Sequence, residues 1–263
     1  MFILIILVAT CLLLLWYMYN LAHKDRLEIV TIADENFPSS SESLNIFFIS
    51  DVHKRLINHA TLHTLEDVDM TIIGGDLCEK DVPLGQVEEN IKRLKKLKAP
   101  IYFVWGNNDY EVNPYKLKDL LSKHNVSVLA DSTERFILCS GERIQLVGLQ
   151  SLYFREILTS EYFNQFWLPE FTYTILANHE PESYDLLNKE QKERVNLVLS
   201  GHTHGGQIRI FGFGLRSKGG WKKFGNKRFL VSEGYGTTTL PLRLGTKAEC
   251  HFIKITNLKY KKQ

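Results

Sequence analysis

The sequence lacks the features that mark several large classes of protein. Its 263 residues carry 32 Lys and Arg against 30 Asp and Glu, a net charge of +2, so it has no charge excess typical of nucleic-acid binding. The four cysteines include no CxxC pair, which argues against a zinc ribbon and a disulfide framework. No HExxH sequence is present, which argues against a metallopeptidase. The remaining composition is that of one sizeable globular domain.

Residues 2–19 contain no charged side chain. As a helix they would span ~27 Å at ~1.5 Å per residue, close to the hydrocarbon thickness of a bilayer. A cleavable signal peptide is the alternative, but no Lys or Arg precedes the run and no small-residue cleavage site follows it. We therefore expect an uncleaved single-pass anchor at 1–22. Because Lys24 and Arg26 follow it, the positive-inside tendency places the remaining chain on the cytoplasmic side of the cell membrane.

Beyond this run, short apolar segments alternate with amphipathic ones, which is typical of βαβ units and predicts an α/β fold. Glycine-rich, strand-like pieces follow Gly205 and predict a second, more antiparallel half of a sheet sandwich. We expect a juxtamembrane strand and Ser-rich linker at 23–45, the folded domain at 46–258 and a basic tail at 259–263. The predicted strands include 27–32, 46–50, 70–73, 101–105, 126–129, 144–148, 174–177 and 196–199, and the predicted helices are 56–66, 84–97, 114–124 and 182–189.

Polar residues follow five of the predicted strands. Ligand-binding groups of open α/β sheets gather beyond the carboxyl ends of the strands, so these residues are candidates for one site. Carboxylate, imidazole and amide oxygen together suit Mn, Fe or Zn. Two such ions ~3.5–4 Å apart would clamp a phosphoryl group and lower the pKa of a bound water. The candidates are Asp51, His53, Asp76, Asn107, Asp109, His179, His202 and His204.

In order and spacing these residues resemble the calcineurin-like metallophosphoesterase family, whose motifs run D-x-H, G-D, G-N-H-D/E, H and G-H-x-H. The sequence at 205–209, 232–236 and 240–243 looks like its bacterial, membrane-anchored, phosphodiesterase-like branch. The resemblance implies a four-layer α/β/β/α sandwich behind one N-terminal transmembrane helix. It also implies two metal ions and attack by a hydroxide that bridges them. One ion would be held by Asp51, His53, Asp76 and His204, and the other by Asp76, Asn107, His179 and His202.

The third motif departs from the family pattern. Asn108 stands where most of the family has a His that contacts the phosphate and helps the leaving group depart, and Asp109 is the acid that would orient it. An amide donates a hydrogen bond to a phosphate oxygen but delivers no proton at neutral pH. Three outcomes stay open: a preference for good leaving groups, a proton from His59 or His63, or a slow enzyme. Asn108 and Asp109 are the candidate catalytic residues.

The expected activity is that of a metal-dependent phosphoric ester hydrolase of the phosphodiesterase or pyrophosphatase type, with Mn among the candidate metals. Its substrate would be a phosphate ester or pyrophosphate, either lipid-linked or a nucleotide. Lipid-linked molecules are favoured because the anchor holds the site near a bilayer. The alternative is a phosphoesterase-like scaffold that binds metal and a partner but turns over weakly. No specific nucleic-acid partner is indicated.

Three further features lie near the motifs. Residues 211–224 interleave four cations with aromatic rings, which suits an exposed solvated loop, contact with lipid headgroups or an anionic substrate. Arg209 and Arg243 are candidates for phosphate contact or for surface ion pairs. Cys78 follows the second motif and is expected to be structural.

Overall fold

The computed structural model describes residues 1–38, 43–138, 141–154 and 171–258. The middle of the predicted Ser-rich linker, residues 39–42, and the predicted basic tail at 259–263 lie outside the described residues. The elements below are those of the described ranges.

Helix α1 (Phe2–His23) contains the apolar N-terminal run. Among the residues that the structure describes, it is the one helix long and apolar enough to cross a membrane. Its 22 residues would extend ~33 Å at ~1.5 Å per residue. Most of its side chains are exposed, but Met18 and Ala22 near its end are buried against the rest of the chain. Lys24 alone separates α1 from the first strand, β1 (Asp25–Asp34).

Strand β1 is part of the main sheet. It pairs in parallel with the last strand, β14 (Ala248–Asn257), from Asp25 opposite Ala248 to Asp34 opposite Asn257. The sequence predicted a juxtamembrane strand and linker at 23–45, and the structure places this strand at the edge of the first sheet. The reason is its half-buried pattern, which is that of an edge strand covering one side of β14. The folded unit therefore includes residues that precede 46.

The first sheet also contains β2 (Leu44–Ile49), β3 (Met70–Ile73), β4 (Ile101–Val104) and β5 (Val126–Leu129), and the helices between them are α2 (His59–His63), α3 (Leu84–Leu94) and α4 (Pro114–Lys123). Its six strands lie in the order β1-β14-β2-β3-β4-β5. Strands β2 to β5 run parallel to one another, and β14 runs antiparallel to β2.

The second sheet consists of β6 (Ser132–Ile137), β7 (Arg143–Gly148), β8 (Tyr173–Ala177), β9 (Leu197–Ser200), β12 (Gly220–Phe224) and β13 (Lys227–Val231). These six strands lie in the order β12-β13-β9-β8-β7-β6; the inner strands β7, β8, β9 and β13 are parallel, and the edge strands β6 and β12 are antiparallel to their neighbours. A short hairpin of β10 (Arg209–Ile210) and β11 (Phe213–Gly214) stands apart from both sheets.

The predicted start of the second half after Gly205 is wrong. The second sheet begins at β6, far earlier in the chain, and β14 returns to the first sheet. Strands β6 and β12 have half-buried or exposed side chains, so neither contains the apolar run by which a strand is recognised in a sequence.

In the part of the chain that the structure describes, buried apolar side chains form three clusters, which are the three interfaces of a four-layer sandwich. One fills the space between the sheets and includes Phe48 and Tyr173. The second lies between the first sheet and its helices, with Phe103 against Val87 of α3. The third covers the outer face of the second sheet and includes Leu187. The predicted four-layer α/β/β/α architecture is therefore confirmed.

The predicted helix at 182–189 is wrong in its position. Residues Pro181–Leu186 form a 3-10 turn, and helix α5 (Lys189–Arg194) begins after it. Asn188 fixes this start, because its side chain accepts the Gln191 N–H at 2.9 Å while Gln191 returns a contact to the Asn188 backbone. Helix α5 is joined to the second sheet by Lys227 of β13, which donates to the Lys192 carbonyl oxygen at 2.6 Å.

Candidate metal centre

The loops that follow five strands meet at one end of the two sheets. Strands β2, β3 and β4 of the first sheet and β8 and β9 of the second present their carboxyl ends at this edge, where ligand groups of α/β sheets gather. The structure brings together all seven side chains that the sequence marks as candidate ligands. They are Asp51, His53, Asp76, Asn107, His179, His202 and His204.

Asp51, His53 and His204 form what we call the inner group. All three side chains are buried, and each offers a ligand atom within 4.8 Å of the others. His53 Nε2 lies 3.1 Å from His204 Nε2, and His204 Nε2 lies 3.4 Å from Asp51 Oδ1. Three donor atoms therefore converge on one buried point, as the ligands of a metal ion do.

Asn107, His179 and His202 form the outer group. His202 Nδ1 lies 2.9 Å from Asn107 Oδ1 and 3.3 Å from His179 Nε2. Asn107 and His202 are half-buried and line a cleft, whereas His179 is buried. Asp76 stands between the two groups, because its Oδ2 atom lies 3.2 Å from His179 Nε2 and 3.8 Å from His53 Nε2.

The charges of the cluster fit a cation. Burial lowers the pKa of His179, but the Asp76 and Asp51 carboxylates outweigh it and raise that pKa well above its ordinary value. Burial and the neighbouring His53 hold the pKa of His204 well below its ordinary value, which favours the neutral imidazole that binds metals. Two buried carboxylates that attract a proton would also attract a metal ion, so the residues present suit divalent metals.

The backbone of the site is strained. Five of the candidate ligands have positive φ angles, in the left-handed region that non-glycine residues rarely adopt. The loops turn back sharply after their strands, and backbone hydrogen bonds such as His53 N–H to Asp76 O at 3.2 Å hold them there. Such strain costs about 1–3 kcal/mol per residue and gathers at functional sites. The five are Asp51 (53°), His53 (51°), Asp76 (51°), His202 (68°) and His204 (48°).

Two of the imidazoles are oriented from behind. His179 Nδ1 lies 2.8 Å from the carbonyl oxygen of Gly74, so its Nε2 faces Asp76. His53 Nδ1 lies 2.9 Å from Glu79 Oε2, and Lys54 Nζ lies 3.0 Å from the other oxygen of Glu79. Burial raises the pKa of Glu79, but His53 and Lys54 outweigh it, so that pKa is lowered and the carboxylate stays ionised. Sequence reasoning missed Glu79; its spacing three residues after Asp76 was the available signal.

Asp109 lies behind the site rather than in it. Its fully buried carboxylate accepts the backbone N–H groups of Asp76 (2.8 Å), Gly106 (2.9 Å) and Cys78 (3.0 Å). It thereby joins the loop after β3 to the loop after β4. Asp109 is a positioning residue in this structure, and no contact places it against a substrate. Cys78 is buried beside it, and burial and the Asp109 charge raise the pKa of its thiol, as suits a structural cysteine.

Asn108 lines the cleft at the outer group. Its backbone N–H donates to Asp76 Oδ1 at 2.8 Å, and its side-chain oxygen accepts a hydrogen bond from the Asn107 amide. The suggestion that His59 or His63 supplies a proton is not supported, because among the described residues these two line a separate surface pocket on the α2 side. Beside the outer group, Asn108 therefore presents an amide to the cleft.

The cleft in front of the outer group has a volume of about 650 Å³. Arg216 from the predicted basic-aromatic loop reaches into it, with Nη1 3.0 Å from His202 Nε2. Burial and His179 lower the pKa of His202, and the Arg216 charge lowers it further. Lys54 also lines the cleft, so two cations face the space in front of the candidate ligands. This arrangement suits an anionic substrate.

The two other arginines that the sequence marks as candidates, Arg209 and Arg243, do not present a free guanidinium group to the cleft. Arg243 is fully buried, and its Nη2 donates to the carbonyl oxygens of Glu233 (2.6 Å), Gly234 (3.0 Å) and Gly236 (2.6 Å). Arg209 donates to backbone carbonyls of its own hairpin. The sequence analysis predicted phosphate contact or surface ion pairs for these two residues. In the structure, both guanidinium groups instead donate to backbone carbonyls and hold loops beside the site.

Comparisons with known proteins match the chain to a family and to relatives. A family model described as calcineurin-like phosphoesterase matches residues 44–206. The chain is 41% identical over 214 residues to the uncharacterized protein YpbG of Bacillus subtilis, a match covering 81% of each chain. It is 29% identical over 241 residues to the uncharacterized metallophosphoesterase YkuE of the same species, covering 83% of this chain and 81% of YkuE.

Among solved structures, the fold is similar to that of the NAD nucleotidase NadN of Haemophilus influenzae. The TM-score is 0.51 at 16% sequence identity, and the match covers 74% of this chain and 45% of NadN. At this identity the likeness concerns the fold alone. This chain thus spans about half the length of that enzyme.

Proposed function

The chain belongs to the calcineurin-like phosphoesterase family, and on this premise we propose a membrane-anchored hydrolase that uses two divalent metal ions to cleave phosphate ester or pyrophosphate bonds. The family and the clusters of candidate metal ligands support a metal-dependent phosphoester hydrolase. The observation that carries the proposal is the convergence of seven side chains, from loops far apart in sequence, at the mouth of one cleft.

In this proposal the inner group and Asp76 hold one metal ion, and the outer group and Asp76 hold the other. Asp76 suits the shared position because one of its oxygens faces a histidine from each group. When bound, divalent ions of this kind neutralise charge on a phosphoryl group and lower the pKa of a water molecule. Carboxylate, imidazole and amide ligands of this kind suit Mn, Fe or Zn.

The chain's own residues would bind and orient the phosphate. Arg216 and Lys54 attract an anion to the cleft, and the Asn108 amide is placed to donate a hydrogen bond to a phosphate oxygen. Since Asn108 supplies no proton, the departing group must leave as a stable anion. Pyrophosphates and esters of acidic alcohols meet this requirement, so they are the expected substrates, whether nucleotide or lipid-linked.

Helix α1 supports the proposed anchor. It is apolar, long enough to span a bilayer and mostly exposed, so in water it would leave a large apolar surface uncovered. The Lys24 and Arg26 charges beyond its end favour a cytoplasmic catalytic domain.

One observation favours a second candidate function. Because Asn108 replaces the usual His, a scaffold that binds metal and a partner with little turnover is the alternative to an enzyme. The complete set of candidate ligands favours the enzyme, since a scaffold has no need of two intact metal positions.

The test is hydrolysis of bis(p-nitrophenyl) phosphate by the full chain in detergent, stripped of metal and then supplied with Mn²⁺. Asp76→Asn should abolish Mn-dependent release because it removes the shared charge. Asp81→Asn is the matched control, since this exposed acid lies on the same loop. A wild-type chain that binds metal yet releases no p-nitrophenolate would favour the scaffold.

A further inference from the structure

Five large apolar side chains project into solvent beside the cleft. They are 55% to 100% exposed, which is unusual for a cluster of this size on a water-soluble surface. Two of them, Leu215 and Leu240, also line the cleft in front of the outer group. We call this cluster the apolar rim; it consists of Ile210, Phe211, Phe213, Leu215 and Leu240.

The rim is a braced structure. The β10–β11 hairpin carries Phe211 in its turn and Phe213 at the start of β11, and Arg209 at its base donates to the carbonyl oxygens of Gly205 (2.8 Å) and Arg216 (2.8 Å). These hydrogen bonds join the hairpin to the last ligand loop and to the start of the following segment. The backbone that carries the exposed rings is therefore braced at the base of the hairpin.

The hairpin is also joined to the loop that carries Leu240. The Gln207 side chain donates to the carbonyl oxygens of Thr238 (3.2 Å) and Leu240 (3.0 Å). The Arg209 N–H donates to the Leu244 carbonyl at 2.7 Å. The apolar side chains of the two loops thus belong to one surface.

The end of α1 docks on this same loop. The Arg243 N–H donates to the Met18 carbonyl oxygen at 3.0 Å, and Met18 is buried there. Leu240 is three residues from Arg243, so it lies within about 11 Å of this contact along the chain. Trp16 and Tyr19 flank Met18 in the sequence and are exposed, as aromatic side chains at a bilayer interface are. The rim consequently lies close to the level at which α1 would leave the membrane.

We propose that the apolar rim inserts into the lipid interface of the membrane that α1 spans, so that the cleft opens onto the headgroup layer. Four exposed cations follow the apolar side chains closely in the sequence: Arg216, Lys218, Lys222 and Lys223. Apolar side chains flanked by cations are the composition that binds an anionic bilayer surface. This inference rests on the anchor proposed above and deepens it.

The position of the rim also selects a substrate class. A substrate whose phosphate lies against Arg216 would have Leu215 and Leu240 beside its remaining portion. A phosphate diester or pyrophosphate with an acyl or prenyl chain matches this pairing of charge and apolar surface. The cleft would accept such a molecule from the membrane without drawing the apolar chain through water.

The first test measures depth. A fluorescent probe is attached at Phe213→Cys, in the full chain with Cys11 and Cys139 replaced, in vesicles of phosphatidylcholine and phosphatidylglycerol. The matched control is Tyr115→Cys on α4, which is 81% exposed and far from the hairpin in the sequence. Nitroxide-labelled lipids should quench the probe at position 213 several-fold more than the control. Equal, weak quenching at both positions overturns the inference.

An alkaline carbonate wash separates this result from a failure of the anchor. If the chain stays in the membrane but the probe at position 213 is unquenched, the rim proposal fails and the anchor stands. If the wash releases the chain, the anchor and the rim proposal fail together. Neither outcome depends on catalytic activity.

The second test measures substrate preference. The double variant Phe211→Ser with Phe213→Ser should raise KM for a vesicle-borne phosphodiester about tenfold, because interfacial binding is lost. Its hydrolysis of soluble bis(p-nitrophenyl) phosphate should be unchanged. Tyr115→Ser is the control. An equal effect on both substrates, or no effect on either, contradicts the proposed role.

Discussion

The inner and outer groups of the metal centre share Asp76 but differ in their access to water. The inner ligands are buried, and His53 is oriented by a carboxylate that itself pairs with a lysine. In the outer group, Asn107 and His202 are half-buried and face the cleft. From this difference we expect a division of labour between the two proposed metal positions, in which the inner one retains its ion and the outer one meets the substrate.

The largest expected effect is that of an inner carboxylate. Asp51→Asn should reduce Mn-dependent hydrolysis more than about 100-fold, because loss of a ligand should exceed the 10–100-fold cost of losing an orienting partner. The Asp51 carboxylate also accepts the His202 N–H, at 3.1 and 3.2 Å, so the outer group is disturbed as well. The measurement is the steady-state rate together with bound metal per chain. If Asn107→Ala, which removes a neutral outer ligand, costs as much, the proposed division is broken.

A substitution beside the outer group tests the same comparison through a gain of function. Asn108→His should restore a proton donor and raise kcat about 100-fold on esters with poor leaving groups, such as alkyl phosphodiesters. Bound metal should change little, because the backbone N–H of residue 108 still donates to Asp76 Oδ1 and only the contact from the Asn107 amide is altered. Rates on alkyl and p-nitrophenyl esters are compared, with Asn108→Gln as control. A variant no faster than wild type on alkyl esters would show that proton donation does not limit the reaction.

A smaller effect is expected behind the inner group. Glu79→Gln keeps the size of the side chain but removes the charge beside His53, so metal affinity should fall about tenfold. Competition with a chelator measures this directly. Glu111→Gln is the control, since Glu111 also lines the cleft but its carboxylate accepts the Lys80 N–H at 2.9 Å. Equal affinity in the two variants would mean that Glu79 does not orient His53.

The convergence of the seven candidate ligands could be predicted because each follows an apolar strand. The carboxyl ends of parallel strands lie at the same edge of a sheet, so residues such as Asp51 and Asp76, which are far apart in the sequence, become neighbours. Strand positions in the sheet interiors were predicted for the same reason: buried strands such as β3 and β4 are continuous or nearly continuous apolar runs.

The edge strands of the second sheet, β6 and β12, and the supporting contacts could not be predicted in this way. Strand β12 carries exposed Lys side chains, and its place in the sheet depends on pairing with β13. Glu79 and Arg243 act through contacts with residues brought near only by the complete fold. A carboxylate that pairs with an imidazole, or a guanidinium that donates to a backbone carbonyl, produces no periodic pattern in a sequence.

The left-handed backbone of the ligands has a consequence for selection by stability. A glycine at Asp51 or Asp76 would relieve a strained φ angle and, in metal-free protein, the repulsion between buried carboxylates. Thermal screening of libraries without added metal would therefore enrich variants that have lost the site. For the proposed enzyme we therefore expect resistance to heat and catalysis to compete at the same positions, and a screen that includes metal should select for both together.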